Sequence, residues 1–374
     1  MSKKVLAITN NFPTPRFPEK GVFVLNILQE MSRQGVEVDV IAPISIGTEL
    51  KRLKRLPVKN NFKGLNVSQP YFFSIPQRLG RFKKTIAWIN DFLFGLSLRF
   101  SYKSKKYDFV YTHFLQSAIP VMLYLPFNNI PILVNLGESD PWDYELFYSK
   151  HRLLSFLNRL SYIVTVSKTN FDYVLSLDEN LSQRMRYIPN GVNIDVFKPY
   201  DRILSRQKLG LDLDTKYIVF CGHFDERKGP LRVLEAIKDT EIKGIFLGSN
   251  GPDTPVGKEV TFAGAVNNKD VVYYLSSCDA FVLPSRSEGM SNAVLEAMAC
   301  CAPLVISNKP FNTDFIQTNS AIFIDPDDIS DIKSGIEKAL QPEINDSLRE
   351  NLSKNRFNIS IEMRIKKIFD FVDN

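Results

Sequence analysis

The chain has 374 residues, of which 44% are hydrophobic and 24% are charged, and its formal net charge is +6. This length suits two α/β domains, and the composition is that of a globular protein, which excludes a fibrous or disordered chain. The four cysteines include no C-x-x-C pair, which argues against a zinc site and favours reduced thiols in a cytoplasmic protein.

The hydropathy pattern predicts no membrane span. The most apolar segment, residues 118–127, has ten residues and two prolines, whereas a spanning helix needs about twenty apolar residues. The N-terminal apolar run is too short for a signal peptide.

Basic charge is concentrated in residues 51–106, which contain 14 Lys and Arg but a single acid, Asp91. Aromatic residues alternate with these charges, as they do in interfacial helices. We therefore predict a cytoplasmic protein that associates peripherally with the inner face of the cell membrane through this region. Nucleic acid is not expected as a partner, because no recognition motif is present.

The first elements read as strand, loop, helix and strand. Residues 4–9 predict a strand, 22–34 a helix that ends at Gly35, and 36–42 a second strand. The loop between them lacks G-x-G-x-x-G, which disfavours a nicotinamide cofactor. Gly21 is a flexible hinge residue directly before the N-terminus of this helix.

Residues 43–107 read as irregular and basic and then as helical. Beyond them, residues 108–112, 131–136 and 162–167 predict strands that alternate with helices, the pattern of a parallel sheet with right-handed crossovers. His113 follows the first of these strands. It therefore lies at the carboxyl edge, where α/β proteins bind ligands, and is a candidate functional residue.

Residues 187–199, YIPNGVNIDVFKP, predict a turn that ends the first domain and a rigid crossing into the second. After a strand over 217–221, a helix begins at Pro230. Arg227 and Lys228 stand just before that helix. Cations beside a helix N-terminus predict a diphosphate site.

Residues 279–307 read as strand, loop, helix and strand, with Ser291 as a candidate helix cap and Pro303 ending the helix. Glu288 and Glu296 bracket the loop-to-helix junction, roughly 12 Å apart if the stretch between them were helical. Between them, backbone N–H groups at a helix N-terminus favour an anion. Hydroxyl, phosphate and hydroxyl in series is the order of groups in a nucleotide sugar.

Residues 284–299, PSRSEGMSNAVLEAMA, resemble the signature of the family 4 (group 1) retaining glycosyltransferases of the GT-B fold. The resemblance implies that Glu288 contacts the donor sugar and Glu296 the ribose. It also implies that Lys228 contacts the diphosphate, with Arg227 supplying charge because His223 stands where the family usually has Arg. The predicted donor-binding residues are Gly21, Gly222, Lys228, Gly264, Val266, Glu288, Gly289, Met290, Ser291 and Glu296, and the predicted catalytic residues are Lys228, Glu288, Arg227 and His113.

The resemblance implies an α/β protein of two Rossmann-like domains with parallel sheets facing across a cleft. The acceptor domain is predicted over 1–193, with a C-terminal helix over about 358–374 crossing back to it, and the nucleotide-sugar domain over 194–357. No cofactor is expected beyond the donor substrate. No metal is expected either, since Asp212 and Asp214 lie in a linker without supporting context.

Two segments depart from the family pattern. A His-Gly-x-Asp motif is replaced by residues 136–140, LGESD, where Glu138 or Asp140 could bind sugar hydroxyls, and a Gly-Gly-x-x-Glu motif is replaced by residues 308–317. We predict a metal-independent retaining transferase that moves a sugar to a glycan or lipid-linked acceptor in cell-surface polysaccharide synthesis. A non-catalytic nucleotide-sugar-binding subunit and a nucleotide-sugar 2-epimerase remain as alternatives.

Overall fold

The computed structural model describes residues 3–14, 16–18, 20–46, 62–75, 83–102, 106–125, 130–139, 141–249 and 251–373. Much of the basic region, residues 51–61, 76–82 and 103–105, therefore lies outside the described residues, as does Asp140. The chain forms two compact units, an N-terminal unit of residues 1–188 with 365–374 and a C-terminal unit of residues 189–364.

The N-terminal unit alternates strands and helices. Its strands are β1 Lys4–Ile8, β2 Glu37–Ile41, β3 Ile44–Ser45, β4 Leu65–Ser68, β5 Tyr71–Phe72, β6 Phe109–His113, β7 Ile132–Leu136, β8 Tyr162–Thr165 and β9 Met185–Tyr187. Its helices are α1 Val22–Arg33, α2 Lys83–Ser101, α3 Leu115–Tyr124, α4 Lys150–Leu157 and α5 Lys168–Leu177, with 3₁₀ helices at Pro141–Leu146 and Glu179–Arg184.

Seven of these strands form one parallel sheet in the order β4-β2-β1-β6-β7-β8-β9, and β3 pairs with β5. The central strands are buried along their length, as expected when helices cover both faces of a sheet. The strand order changes direction between β1 and β6, so ligands are expected at the carboxyl ends of these two strands.

The C-terminal unit repeats this alternation. Its strands are β10 Tyr217–Cys221, β11 Lys243–Leu247, β12 Val260–Gly264, β13 Ala280–Leu283, β14 Leu304–Ser307 and β15 Ala321–Ile324. Its helices are α6 Arg202–Leu209, α7 Pro230–Ala236, α8 Asn268–Ser277, α9 Asn292–Ala299, α10 Pro310–Thr313, α11 Ile329–Ala339 and α12 Pro342–Asn355, followed by a 3₁₀ helix at Arg356–Ile359. The last helix, α13 Ile361–Asp373, runs across the boundary of the two units.

The second sheet is also parallel, in the order β12-β11-β10-β13-β14-β15. Its direction changes between β10 and β13, which places the loops after these two strands at the position where doubly wound sheets bind ligands. The predicted fold class, two Rossmann-like α/β domains with parallel sheets, is confirmed.

Backbone hydrogen bonds join the segment that enters the C-terminal unit to the segment that leaves it. The Val192 N–H donates to the Ile359 carbonyl and the Ile361 N–H donates to the Val192 carbonyl, both at 2.9 Å. A side chain at Gly191 would lie 2.7 Å from the Ile361 Cα atom. Glycine is therefore required where these two segments meet.

Two predicted details of α9 are wrong. Ser291 occupies the N-cap position, but its hydroxyl makes no capping hydrogen bond. The helix also ends before Pro303, because Cys301 adopts a left-handed conformation with φ of 54°. The N–H groups of Cys301 and Ala302 donate to the carbonyls of Met298 and Ala297 at 3.0 Å, which closes the helix as a Schellman motif.

Candidate active site

The loops after β10 and β13 meet through a buried ion pair. The Lys228 ammonium contacts the Glu288 carboxylate, and the Arg227 guanidinium lies 3.3 Å from the same carboxylate oxygen. The side chains of Lys228 and Glu288 are only 10% and 9% exposed. A carboxylate and an ammonium removed from water are held in place by each other, so the pair is geometrically well defined.

Further contacts fix the two loops to each other. The Arg232 guanidinium donates to the carbonyls of Glu226 (2.7 Å) and Pro284 (2.8 Å), one on each loop. The Arg227 guanidinium donates to the Ser287 carbonyl at 2.6 Å. These bonds orient the cations before any ligand arrives, which is the preorganisation that stabilises developing charge.

Lys228 is positioned from its own loop as well. Its backbone N–H donates to the Asp225 carboxylate at 2.9 Å. Gly229 follows with φ of 76° and forms the N-cap of α7. The Lys228 side chain crosses above Gly222, where an added Cβ would stand 3.4 Å from the lysine Cδ atom.

The N-terminus of α9 lies between Glu288 and Glu296. Its first turn contains no acidic residue, and the Ser291 hydroxyl is buried without a hydrogen-bond partner among the described residues. The segment that enters the C-terminal unit also contacts this helix N-terminus, since the Asn190 N–H donates to the Met290 sulfur at 3.0 Å. Unsatisfied donors at a helix N-terminus are suited to an anion.

Glu296 stands on α9 and is partly buried. Burial raises the pKa of Glu296 to about 8. Burial, and secondarily the Glu296 carboxylate, raise the pKa of the Cys221 thiol to about 12, and Lys228 opposes this rise. Glu296 and Lys228 therefore both act electrostatically on Cys221, at the end of β10.

The strand ends beside this cluster approach one another closely. The Gly222 N–H donates to the Leu247 carbonyl and the Gly248 N–H to the Gly264 carbonyl, both at 2.9 Å. An added Cβ at Gly248 would lie 1.9 Å from the Gly222 carbonyl oxygen. Gly264 and the partly buried Val266 thus continue the carboxyl edge that begins at Lys228.

Gly21 and His113 belong to the N-terminal unit. Gly21 is the N-cap of α1 with φ of 65°, and an added Cβ would lie 2.3 Å from the Asn11 carbonyl oxygen. His113 is 2% exposed, with the Tyr111 hydroxyl 2.8 Å from Nδ1 and the Asn135 amide nitrogen 3.4 Å from Nε2. The ring of Phe114 packs edge-on at 4.6 Å.

Two family models match the chain. The model described as Glycosyltransferase Family 4 matches residues 21–196, and the model described as Glycosyl transferases group 1 matches residues 201–358. The chain is 27% identical over 377 residues to a Bacillus subtilis (strain 168) protein named as a teichuronic acid biosynthesis glycosyltransferase, with 93% of each chain covered.

This chain belongs to the family 4, group 1 glycosyltransferases. It is also 26% identical to the Escherichia coli UDP-Gal:alpha-D-GlcNAc-diphosphoundecaprenol alpha-1,3-galactosyltransferase, over 77% of this chain and 80% of that protein. Among solved structures, sucrose-phosphate synthase from Thermosynechococcus elongatus superposes with a TM-score of 0.75 at 16% identity, covering 98% of each chain. This likeness shows the GT-B fold.

In this glycosyltransferase the structure brings Arg227, Lys228 and Glu288 into contact, although they come from two separate motifs. Gly289, Met290 and Ser291 connect them to Glu296, and Gly222 lies beneath Lys228. His223, at the usual Arg position, is exposed, and its Nδ1 lies 2.9 Å from the Ser249 hydroxyl. The arginine that lies against Glu288 is Arg227.

Sequence reasoning missed Asp225 and Arg232, which hold the site loops. Asp225 stands three residues before Lys228, the spacing of a side chain that bonds a nearby backbone N–H group, so it could have been found. Arg232 had no such signal, because its carbonyl acceptor at Pro284 is 52 residues away. Asp212 accepts from the backbone N–H groups of Asp214 and Thr215 (2.9 and 2.8 Å), as in an Asx turn.

Described helices of the chain lack a segment that is both long enough and apolar enough to cross a bilayer.

Proposed function

We propose that this glycosyltransferase binds a nucleoside-diphosphate sugar at the loops after β10 and β13 and transfers the sugar to a glycan or lipid-linked acceptor. Retention of the anomeric configuration and independence from metal ions are part of the proposal. The observation that carries it is the cluster of Arg227, Lys228 and Glu288 at the switch point of the second sheet, beside the N-terminus of α9.

The cluster matches the charge that the reaction develops. When the glycosidic bond to the diphosphate breaks, negative charge accumulates on the leaving phosphate. Lys228, Arg227 and the N–H groups that begin α9 supply fixed positive charge there. Glu288 binds hydroxyls of the donor sugar and Glu296 binds the ribose. Because the cations are built into the protein, we expect activity to persist when divalent metals are removed with EDTA.

A binding experiment tests the donor site. We expect one of UDP, GDP, ADP and CMP, with or without its sugar, to bind in calorimetry at pH 8.5, where Glu296 is ionised in most molecules. Glu296→Ala should weaken that binding at least about tenfold, as expected for a lost hydrogen bond to a charged group. Glu337→Ala, an exposed glutamate on α11 of the same unit, is the matched control. If no nucleotide binds, the donor site is refuted.

Product analysis separates the transferase from the epimerase. A transferase consumes the nucleotide sugar at a rate that increases with the acceptor, whereas an epimerase converts it without one. NMR of the anomeric proton of the product then gives the configuration of the new linkage. A product of inverted configuration would contradict retention.

The acceptor is proposed to be carried by a membrane. The Escherichia coli relative is named for a diphosphoundecaprenol acceptor. In this chain α2 exposes Trp88, Phe92, Leu96 and Phe100, each four residues apart and therefore on one face. Lys83, Lys84 and Arg99 are exposed on the same helix. Aromatic rings with basic residues on one helix suit an anionic phospholipid surface.

Vesicle sedimentation tests this surface. We expect vesicles of anionic phospholipid to bind the protein and Phe100→Ser to reduce the bound fraction. The substitution should not disturb the fold, because this ring is 81% exposed and has little packing to lose. Val256→Ser, which alters an apolar residue that is 83% exposed in the other unit, is the control. Equal binding by both variants would refute this surface.

A further inference from the structure

The N-terminal unit contains a pocket of about 420 Å³ beyond the carboxyl ends of β6 and β7. Asn90, Asp91, Gln116, Glu138 and Tyr148 are among its lining residues. A second pocket of about 300 Å³ shares three of these residues, Asn90, Asp91 and Gln116. Volumes of this order are typical of small-molecule sites.

Asp91 is held by a residue from a distant part of the chain. It lies on α2, is 6% exposed, and accepts a hydrogen bond of 2.5 Å from the Tyr148 hydroxyl. Burial raises the pKa of Asp91 to about 6, while the Tyr148 hydrogen bond and the exposed Arg152 act in the opposite direction. One carboxylate oxygen is thus fixed by Tyr148, and the group still lines the pocket.

Glu138, which also lines the pocket, is held in the same way. Its carboxylate accepts from the Leu115 N–H at 3.1 Å and from the Tyr144 hydroxyl. The Asn170 amide donates to the Glu138 carbonyl at 3.1 Å, which fixes the backbone. Burial raises the pKa of Glu138 to about 7. Two acids from different elements are therefore each oriented by a tyrosine.

The lining has a definite chemical character. Among the described residues of the larger pocket, the ionisable groups are the two acids and two tyrosines, and Lys, Arg and His are absent. The other described lining residues supply two amides, a serine hydroxyl, the rings of Phe114 and Phe147, and the small residues Ala87 and Gly137. Carboxylates and amides accept hydrogen bonds from sugar hydroxyls, and an anionic group here would face two acids with no opposing cation in the lining.

We propose that this pocket binds the acceptor sugar and that Asp91 and Glu138 select an uncharged or amino sugar over one that carries a carboxylate or a phosphate. The inference rests on the proposed function only in calling the bound sugar an acceptor. Binding of the sugar itself is measured without a donor. Asp91 and Glu138 contact the sugar, whereas Tyr148 and Tyr144 are positioning residues.

The test is a titration of p-nitrophenyl glycosides followed by NMR at pH 8, where Asp91 and Glu138 are ionised in most molecules. The matched series is the glucoside, the glucosaminide, the glucuronide and the glucoside 6-phosphate. We expect the first two to bind at least about tenfold more tightly than the last two, as expected from repulsion between charges a few ångströms apart. Nucleotide binding is measured by calorimetry on the same samples.

Variants assign the selectivity to these acids. Asp91→Asn and Glu138→Gln should each narrow the difference between the glucoside and the glucuronide several-fold, and Tyr148→Phe should do so less. The ratio of affinities is the readout, because a variant that only destabilises the fold lowers both affinities together. Asp172→Asn, an exposed acid on α5 of the same unit, should leave the ratio unchanged.

The outcomes separate this inference from the donor proposal. Glycoside selectivity without nucleotide binding would support the pocket and refute the donor site. Nucleotide binding with equal affinity for all four glycosides, with no glycoside bound, or with a ratio unchanged in Asp91→Asn and Glu138→Gln, would overturn the pocket inference and leave the donor site intact.

Discussion

At the scale of single residues, the proposed donor site is built from ionisable side chains that are largely buried. Lys228 and Glu288 are almost fully buried and pair with each other, so removing one leaves the other uncompensated. Glu296 has no such partner among the described residues, and its carboxyl group accordingly resists ionisation. The two glutamates of this motif therefore differ in environment, since Glu288 is paired with a cation and Glu296 is not.

Replacing Lys228 with methionine should remove the fixed charge but keep the stem that packs above Gly222. We expect the rate of nucleoside diphosphate release to fall by about 10²–10³-fold, the usual cost of losing one group that stabilises transition-state charge. Lys258→Met changes a lysine whose side chain is 72% exposed and should have no effect. A normal rate in Lys228→Met would remove this lysine from the mechanism.

The raised pKa of Glu296 predicts a pH-dependent affinity. Below about pH 8 the free protein carries Glu296 mostly protonated, and hydroxyl groups of a ribose bind better to the carboxylate. Nucleotide affinity should therefore rise between pH 7 and pH 8.5, by no more than about tenfold per unit. Calorimetry on Glu296→Gln should give a flat profile over this range. An unchanged slope in Glu296→Gln would contradict the assignment.

The same shift has a consequence for stability with a defined sign. Between the ordinary value of 4.5 and about 8, the folded protein holds a proton on Glu296 that the unfolded chain releases. Stability therefore falls as pH rises through this window. Glu296→Gln should raise the unfolding midpoint at pH 8.5 more than at pH 5, and an equal change at both pH values would contradict the burial of a protonated group.

At the scale of elements, the loops after β1 and β10 lead into helix N-termini through a glycine. Gly21 and Gly229 both adopt left-handed conformations as the N-caps of α1 and α7. Such a cap turns the chain sharply and leaves the first amides of the helix free of side-chain caps. In both sheets this left-handed glycine cap lies at the carboxyl edge, where the direction of the strand order changes.

Two glycines around α1 separate backbone strain from steric overlap. Gly21 and Gly35 have φ of 65° and 86°, but an added Cβ meets the Asn11 carbonyl at 2.3 Å only at Gly21, and nothing within 4 Å at Gly35. We expect Gly35→Ala to lower the free energy of unfolding by about 1 kcal/mol and Gly21→Ala by roughly 3 kcal/mol. Denaturant unfolding measures both. Equal losses of unfolding free energy in the two variants would mean that the loop containing Asn11 moves aside for the added methyl group without cost.

At the scale of the whole molecule, the C-terminal helix belongs to both units. The chain enters and leaves the C-terminal unit through paired segments, and α13 then continues into the N-terminal unit. There the Tyr162 hydroxyl donates to the Val372 carbonyl at 3.0 Å, and the Arg186 guanidinium lies 4.8 Å from the centre of the Phe371 ring. The last residues therefore stabilise the unit that the first residues build.

Substitution in α13 should affect the N-terminal unit selectively. Ile368 is fully buried, and we expect Ile368→Ala to lower the unfolding free energy of that unit by about 2–5 kcal/mol. The neighbouring Lys367 is exposed, so Lys367→Ala should change little. Calorimetric scans would show one transition shifted and the other retained. A shift confined to the transition of the C-terminal unit would contradict this assignment.

The sequence alone was enough to predict two parallel-sheet domains, the glycosyltransferase family and the pair Glu288 and Glu296, since strand–helix periodicity and the spacing of a loop–helix motif are local properties. The sequence pattern did not predict the short strands β4 and β5, because strands of four and two residues at a sheet edge show little periodicity. Only the tertiary structure brings Tyr148 to Asp91, 57 residues away, and Lys228 to Glu288. Such contacts depend on how side chains from separate elements pack, which no local pattern records.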